Sequence, residues 1–191
     1  ARRSQNLAVE TGGMATRLLF EGRQCVGVAY TQDGQAKVAR ARREVIVAAG
    51  AIGSPHLLQM SGIGDPEHLR QAGITPFHTL EGVGRNLSDH PRAGLSFRLA
   101  HPGSVNEMTR GWRLVREIMR WTLQGRGALT YGVTGAAVFC RSRPEIAWPD
   151  LQLLFLPVSF DATRVGQLER EPGISVNICP VRPYSRGSVL A

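Results

Sequence analysis

Lysine is nearly missing from this sequence. Lys37 is the only one, so arginine supplies the rest of the 23 basic side chains, which face 15 acidic ones for a formal charge of +8. Cysteine is almost as scarce, with only Cys25, Cys140 and Cys179. The number is odd and no CxxC pair or Cys/His set has zinc spacing, which excludes a disulfide framework and a structural zinc site. Each cysteine sits in a strand-like apolar run, where a free thiol acts as a small hydrophobe. That usage fits a reducing compartment, the cytoplasm. Long hydrophobic runs are also lacking. The longest, Val45 to Gly53 and Leu151 to Phe160, fall short of the roughly 18 residues that cross a bilayer. Residues 1–10 hold Arg2 and Arg3 without an apolar core, so no signal peptide is predicted there.

What is present describes a folded protein. Of the 191 residues 42% are hydrophobic, and 22 glycines and 11 prolines punctuate the chain. The length allows one large domain or two small ones with a real core. The arginine excess raises an alternative: a basic, non-enzymatic module for an acidic partner or nucleic acid, using the cluster Arg113, Arg116 and Arg120. Aromatic residues are only 6%, and no aromatic-interleaved basic groove or nucleic-acid motif accompanies the arginines. A scattered, solvated arginine surface is the expectation, without nucleic acid as a partner.

The pattern along the chain predicts an α+β fold dominated by antiparallel sheet. Leu7 and Val9 alternate with polar neighbours, Ala15 to Phe20 is apolar, and Val26, Val28 and Tyr30 alternate again. Asp33-Gly34 favours a two-residue hairpin turn before a strand containing Val38. Glu44 to Ala49 reads as a short buried strand. Ser54 and Pro55 read as the cap and first residue of a helix ended by Gly62. Asp65-Pro66-Glu67 repeats the cap signal for a second helix that Gly73 ends. Gly82 to Pro91 is loop-like and marks a domain boundary, with Arg98 to Thr109 irregular beyond it. Trp112 to Leu123 is the longest helix. Trp112, Val115 and Met119 form one stripe, Leu114, Ile118 and Trp121 an adjacent one, and the arginines with Glu117 fill a solvated face. Ala136 to Arg141, Leu151 to Leu156 and Ile174 to Pro180 are strands, and Gly187 to Leu190 begins another.

Chemistry is thinly marked. His56, His68, His78, His90 and His101 form no HExxH pair, so no metal site is predicted. His90 follows Asp89, but no nucleophile elbow accompanies it, and loop stabilisation is its expected role. No glycine pair completes a GxGxxG after a strand.

One segment resembles a known family. Gly50-Ala-Ile-Gly-Ser-Pro-His-Leu-Leu-Gln-Met-Ser-Gly-Ile-Gly64 is similar to the second signature of the glucose–methanol–choline oxidoreductases. Val83-Gly-Arg-Asn-Leu-Ser-Asp-His90 resembles the block that follows it, with Ser88 where glutamine is usual. Thr11 to Phe20 and Gln24 to Tyr30 resemble the family's upstream meander. Pro149 to Gln152 and Pro183 to Val189 resemble its substrate-domain blocks.

The resemblance implies an FAD-dependent enzyme that oxidises an alcohol by hydride transfer to flavin while a histidine takes the hydroxyl proton. It implies that Ala15 faces the adenine and that Ala49, Gly50 and Ala51 line the cofactor. It places a partial FAD-binding domain at 1–91 and a partial substrate domain at 92–191. The family's phosphate-binding GxGxxG is expected before residue 1 and its catalytic histidine beyond residue 191. No catalytic residue is therefore assigned within the chain. The expected partners are a small alcohol and the flanking parts of its own chain, with weak or absent FAD binding and no activity in isolation. Choline-type members carry a glutamate in the segment aligned with Tyr131 to Arg141. Thr134-Gly135 stands in its place, which favours an uncharged primary alcohol, aliphatic or aromatic. Tyr131, Thr134 and Phe155 are the expected pocket lining.

Overall fold

The computed structural model describes residues 6–130, 132, 134–161, 163, 164 and 166–191. They fall into two units, one comprising residues up to Ser88 together with 185–191, the other Asp89–Tyr184. The α+β expectation holds, with antiparallel pairing in every sheet but one short parallel pair.

The first unit opens with a meander of β1 (Met14–Glu21), β2 (Gln24–Gln32) and β3 (Gln35–Arg40). Asp33 and Gly34 both take positive φ, 52° and 75°, which is what the two-residue turn demands, and Gln32 then pairs with Gln35. Gly27 on β2 lies against β3 so closely that a Cβ there would collide with the Ala39 carbonyl. Leu7 and Val9 fall outside any strand and are exposed, because no neighbouring strand among the described residues pairs with them.

Helix α1 (Gly50–Met60) follows, then β4 (Ile63–Gly64), α2 (Pro66–Gln71) and β5 (His78–Thr79), which pairs parallel with β4. Two expectations change here. Residues Glu44 to Ala49 are neither strand nor buried, since none of the described strands pairs with their backbone. The helix also begins earlier than its capping signal suggested. Ala49 is the N-cap and Pro55 lies inside the helix; the Ser54 hydroxyl reaches back to accept the Ala49 N–H at 3.0 Å. The second cap signal works as read, with the Asp65 carboxylate accepting the Glu67 and His68 amides and Pro66 opening the helix. Leu69 of α2 is fully buried.

β1 is fastened to α1 through one hydroxyl. Ser61 Oγ accepts the Leu18 N–H at 2.9 Å and donates to the Leu57 carbonyl at 2.6 Å. Phe20 and Phe77 stack beside it with ring centroids 4.6 Å apart. Within the predicted loop, β6 (Arg85–Leu87) pairs with β11 (Gly187–Ser188), returning residues 185–191 to this unit.

The second unit is built on a four-stranded antiparallel sheet in the order β7-β10-β9-β8, from β7 (Ala93–Arg98), β8 (Ala136–Cys140), β9 (Leu151–Leu156) and β10 (Gly173–Pro180). The last three were legible; β7 was not. Its residues are all exposed, and it becomes a strand only through its ladder with β10, where the Ser96 and Ser175 hydroxyls meet at 2.9 Å. Between β7 and β8 lie a 3₁₀ turn (Val105–Thr109), α3 (Gly111–Gln124) and a second 3₁₀ turn (Ala128–Thr130). Gly125 in the left-handed region ends α3, at φ 62°.

The arginines of α3 are exposed as expected, but the rest of its expected pattern changes. Glu117 is buried, whereas Trp112, Val115, Met119 and Leu123 are exposed. The Glu117 carboxylate accepts the Ala128 N–H at 2.9 Å, a contact none of the apolar side chains could make. Cys179 is buried, while Cys25 and Cys140 are half-buried; all three are free thiols on strands.

Candidate functional site

The family-like segment from Gly50 to Gly64 spans α1 and β4. The front of α1 is bare. Ala49, Gly50 and Ala51 are exposed, no side chain caps the helix, and its first turn carries no acidic residue. Ser54 takes the Ala49 N–H, and a helix start of this kind leaves the N–H groups that follow it for an outside acceptor, at the positive end of the helix dipole. Gly50 has φ 80°, and a Cβ built on it would meet nothing within 4 Å. Space is therefore open on the outer side of this turn.

Ala51 and Pro55 form one wall of a cleft of about 350 Å³ whose other side is the 84–88 segment and Val189. Its shape depends on two residues in left-handed conformation. Gly84 has φ 76° and Asn86 has φ 61°. A Cβ on Gly84 would collide with the Val189 carbonyl, so only glycine lets the two segments close together. Gln59, itself buried, ties the cleft to α1. Its Nε2 donates to the Val189 carbonyl at 2.8 Å and its Oε1 accepts the Ala191 N–H at 3.0 Å. The Val189 N–H in turn donates to the Gly84 carbonyl at 2.7 Å.

Charge in the cleft is neutralised at its edge. Arg85 donates to Asp65 Oδ2 at 2.8 Å and to the Glu81 carbonyl at 3.0 Å. The His68 amide first, then Arg85 and the Glu67 amide, hold the Asp65 carboxyl below its usual range.

The remaining expected residues are distributed as follows. Ala15 is exposed on β1 opposite Tyr30, beside an irregularity between Ala15 and Arg17. Thr134 is exposed, and the N–H of the next residue, Gly135, donates to the Phe155 carbonyl at 2.8 Å, which brings Thr134 beside β9. Phe155 pairs with Ala136 and Val176 across the sheet and is 39% exposed. Tyr131 lies outside the described residues.

His90 is held by the chain, its ring Nε2 lying 3.2 Å from the Val181 carbonyl and its N–H donating to Asp89 Oδ1 at 2.8 Å. His68 is half-buried, and its Nε2 has no hydrogen-bond partner among the described residues. No group of three or more His, Cys, Asp or Glu is clustered for a metal ion among the described residues. Nor is any described helix long and apolar enough to cross a membrane.

Sequence reasoning missed Gln59. Its one signal is a polar residue in the middle of an otherwise apolar helical stretch. It also missed a buried polar clasp in the second unit. Glu107 accepts the Gly103 and Ser104 amides, each at 2.9 Å, and the Ser104 hydroxyl donates to Glu107 Oε2 at 3.3 Å while accepting the Gly173 N–H at 3.1 Å. The Gly103 amide foremost, then that of Ser104, holds the Glu107 carboxyl below its usual range.

Three comparisons bear on what this arrangement belongs to. Residues 1–92 match the family model described as GMC oxidoreductase. An oxygen-dependent choline dehydrogenase of Chromohalobacter salexigens is 36% identical over 189 residues, covering 99% of this chain and 34% of the relative. An uncharacterised GMC-type oxidoreductase of Mycobacterium bovis is 40% identical over 190 residues, covering 99% of this chain and 35% of the relative. The chain thus spans about a third of the length of these relatives. Among solved structures, a formate oxidase of Aspergillus oryzae superposes with a TM-score of 0.84 at 23% identity, covering 94% of this chain and 36% of that one.

Proposed function

We propose that the chain belongs to the GMC oxidoreductase family, whose model matches residues 1–92 and whose relatives are 36–40% identical, and that it supplies part of the flavin-binding domain (1–91) and most of the substrate domain (92–191) of an FAD-dependent enzyme. That enzyme oxidises an uncharged primary alcohol, aliphatic or aromatic, to the aldehyde, in the reducing environment of the cytoplasm. When bound, FAD supplies the acceptor for the hydride that leaves the carbinol carbon.

The residues of this chain would bind and orient. The observation that carries the reading is the uncapped, side-chain-free front of α1, where Ala49, Gly50 and Ala51 present backbone without bulk. Free amides at a helix start suit the oxygens of a dinucleotide, and the left-handed Gly50 allows the close approach. Ala15 takes the adenine side. For the substrate, residues 131–141 carry no acidic side chain, so that segment has no anion to hold a quaternary ammonium. Thr134, Phe155 and Tyr131 line the pocket. The proton acceptor and the phosphate-binding loop are assigned outside these residues.

The test is a titration of isotope-labelled chain with FAD, followed by amide chemical shifts. Weak, saturable shifts at Ala15, Ala49, Gly50 and Ala51 are expected, with no alcohol-dependent dye reduction. Shifts confined to other residues, or turnover by the 191-residue chain itself, would overturn the assignment.

A further inference from the structure

One face of α1 runs from open to closed. Ala51, Pro55 and Gln59 follow one another at the i, i+4 spacing that stacks side chains on one side of a helix. Ala51 is exposed, Pro55 half-buried and Gln59 only 1% exposed. The first two line the cleft of about 350 Å³, and Gln59 lies one turn beyond its lining.

The Gln59 amide is fully committed there. Its Nε2 donates to the Pro55 carbonyl at 3.2 Å, on its own helix, and to the Val189 carbonyl at 2.8 Å, while its Oε1 accepts the Ala191 N–H at 3.0 Å. Turning the amide over would set oxygen against two carbonyls and a donor against an N–H, so one orientation satisfies all three partners. From the facing wall, a Cβ on Gly84 would meet both the Val189 carbonyl and Gln59 Nε2. Val189 is thus held from two sides, by the Gln59 side chain and by the Gly84 carbonyl that accepts its N–H. The ladder of β11 with β6 is short and shifts register between Gly187 and Ser188, so these bonds are what hold the segment beyond Ser188.

We propose that Gln59 is a positioning residue for the cofactor. By fastening residues 189–191 to α1 it fixes the distance between the wall of Ala51 and Pro55 and the wall that faces it, and so keeps open the space in front of α1 that a dinucleotide enters. This role rests on the flavin reading above. Gln59 acts through Val189, since it is itself buried and outside the cleft's lining. A cleft of set width needs no rearrangement on binding, and such preorganisation is expressed in affinity.

The test uses the polypeptide translated from the whole reading frame, stripped of flavin and titrated with FAD, with the quenching of free flavin fluorescence giving Kd. Gln59→Met, close in volume but unable to make these bonds, should weaken FAD binding at least about tenfold. Gly84→Ala, which presses on Val189 from the other side, should weaken it too. The double variant should bind no worse than the weaker single one, because both release the same segment. Asn106→Ala removes a buried amide from the second unit and should leave FAD affinity unchanged. Circular dichroism checks folding; if Gln59→Met does not fold, Gln59→Glu takes its place, keeping the acceptor for the Ala191 N–H but setting an oxygen against the Val189 carbonyl. Unchanged FAD affinity in the Gln59 variant, equal loss in Asn106→Ala, or fully additive losses in the double variant would overturn the role and leave the flavin reading intact. A wild-type protein that takes up no FAD would overturn both.

Discussion

Asn106 and Ser159, 53 residues apart, grip each other reciprocally: the Asn106 Nδ2 donates to the Ser159 carbonyl and the Ser159 N–H donates to Asn106 Oδ1, both at 3.0 Å. Both residues are fully buried. Asn106 also reaches the Ser159 hydroxyl at 3.1 Å and the Glu169 carbonyl at 3.1 Å, and that hydroxyl donates to Glu169 Oε2 at 2.8 Å. One side chain thereby joins the turn before α3 to the segment after β9. Asn106→Ala should destabilise the second unit by on the order of 1–3 kcal/mol for each buried group left without a partner. Urea unfolding followed by circular dichroism measures this, and a change below about 0.5 kcal/mol would show the clasp to be dispensable.

Acid should unfold the protein in a defined window. Asp65, Glu107, Glu117, Asp150 and Asp161 all have carboxyls held below their ordinary values, foremost by hydrogen bonds from backbone amides and hydroxyls, with Arg85 on Asp65 and Arg120 on Glu117 adding to them. A folded value below the unfolded one makes each carboxylate stabilising above the ordinary carboxyl range of about 4. That contribution is lost as pH falls through the depressed folded values. The thermal midpoint should hold from neutral pH to about 5 and drop below about 4. Glu117→Gln should start lower at neutral pH and fall less steeply with acid. A midpoint that rises on acidification would contradict the sign.

Gly84 and Gly73 make a matched pair. Both have positive φ, 76° and 74°, but a Cβ on Gly73 meets open space while one on Gly84 meets the Val189 carbonyl. Gly73→Ala should cost only the left-handed backbone penalty, about 1 kcal/mol. Gly84→Ala should cost more and release residues 185–191, seen as faster hydrogen exchange at the Val189 amide. Equal effects from the two substitutions would remove the close approach from the cleft's design.

Leu69→Ala should lower the stability of the first unit by about 2–5 kcal/mol, because Leu69 is the largest fully buried apolar side chain among the described residues. Met60→Ala, at an exposed position, serves as the comparison and should change little. Differential unfolding of the two variants reads the difference directly.

Local chemistry explains which parts of the fold were legible. Asp33-Gly34, Asp65-Pro66 and Gly125 each impose a conformation on their own neighbours, and the turn, cap and stop they signal are all present. Glu44 to Ala49 has strand-like composition, but a strand exists only where a partner offers a ladder, and composition cannot report the partner. The same reason hid β7, which β10 makes into a strand. The inward turn of Glu117 on α3 was illegible because periodicity groups side chains without saying which group faces inward. The Ala128 amide that Glu117 accepts comes from beyond the helix, where no periodicity reports it. At the candidate site, the family-like segment singled out Ala49 to Ala51, and these residues form the exposed, uncapped front of α1. Gln59 holding Val189 was not legible, since the pair is separated by 130 residues.

The sharpest measurement uses the polypeptide translated from the whole reading frame that contains these residues. Purified without added cofactor, it should carry FAD, and a primary alcohol should bleach the oxidised flavin's visible absorbance in the absence of oxygen. Ala51→Phe, which adds bulk at an exposed position beside the bare front of α1, should deplete the flavin while leaving the circular dichroism unchanged. A colourless protein, or full flavin retention in Ala51→Phe, would contradict the placement of the cofactor against this helix.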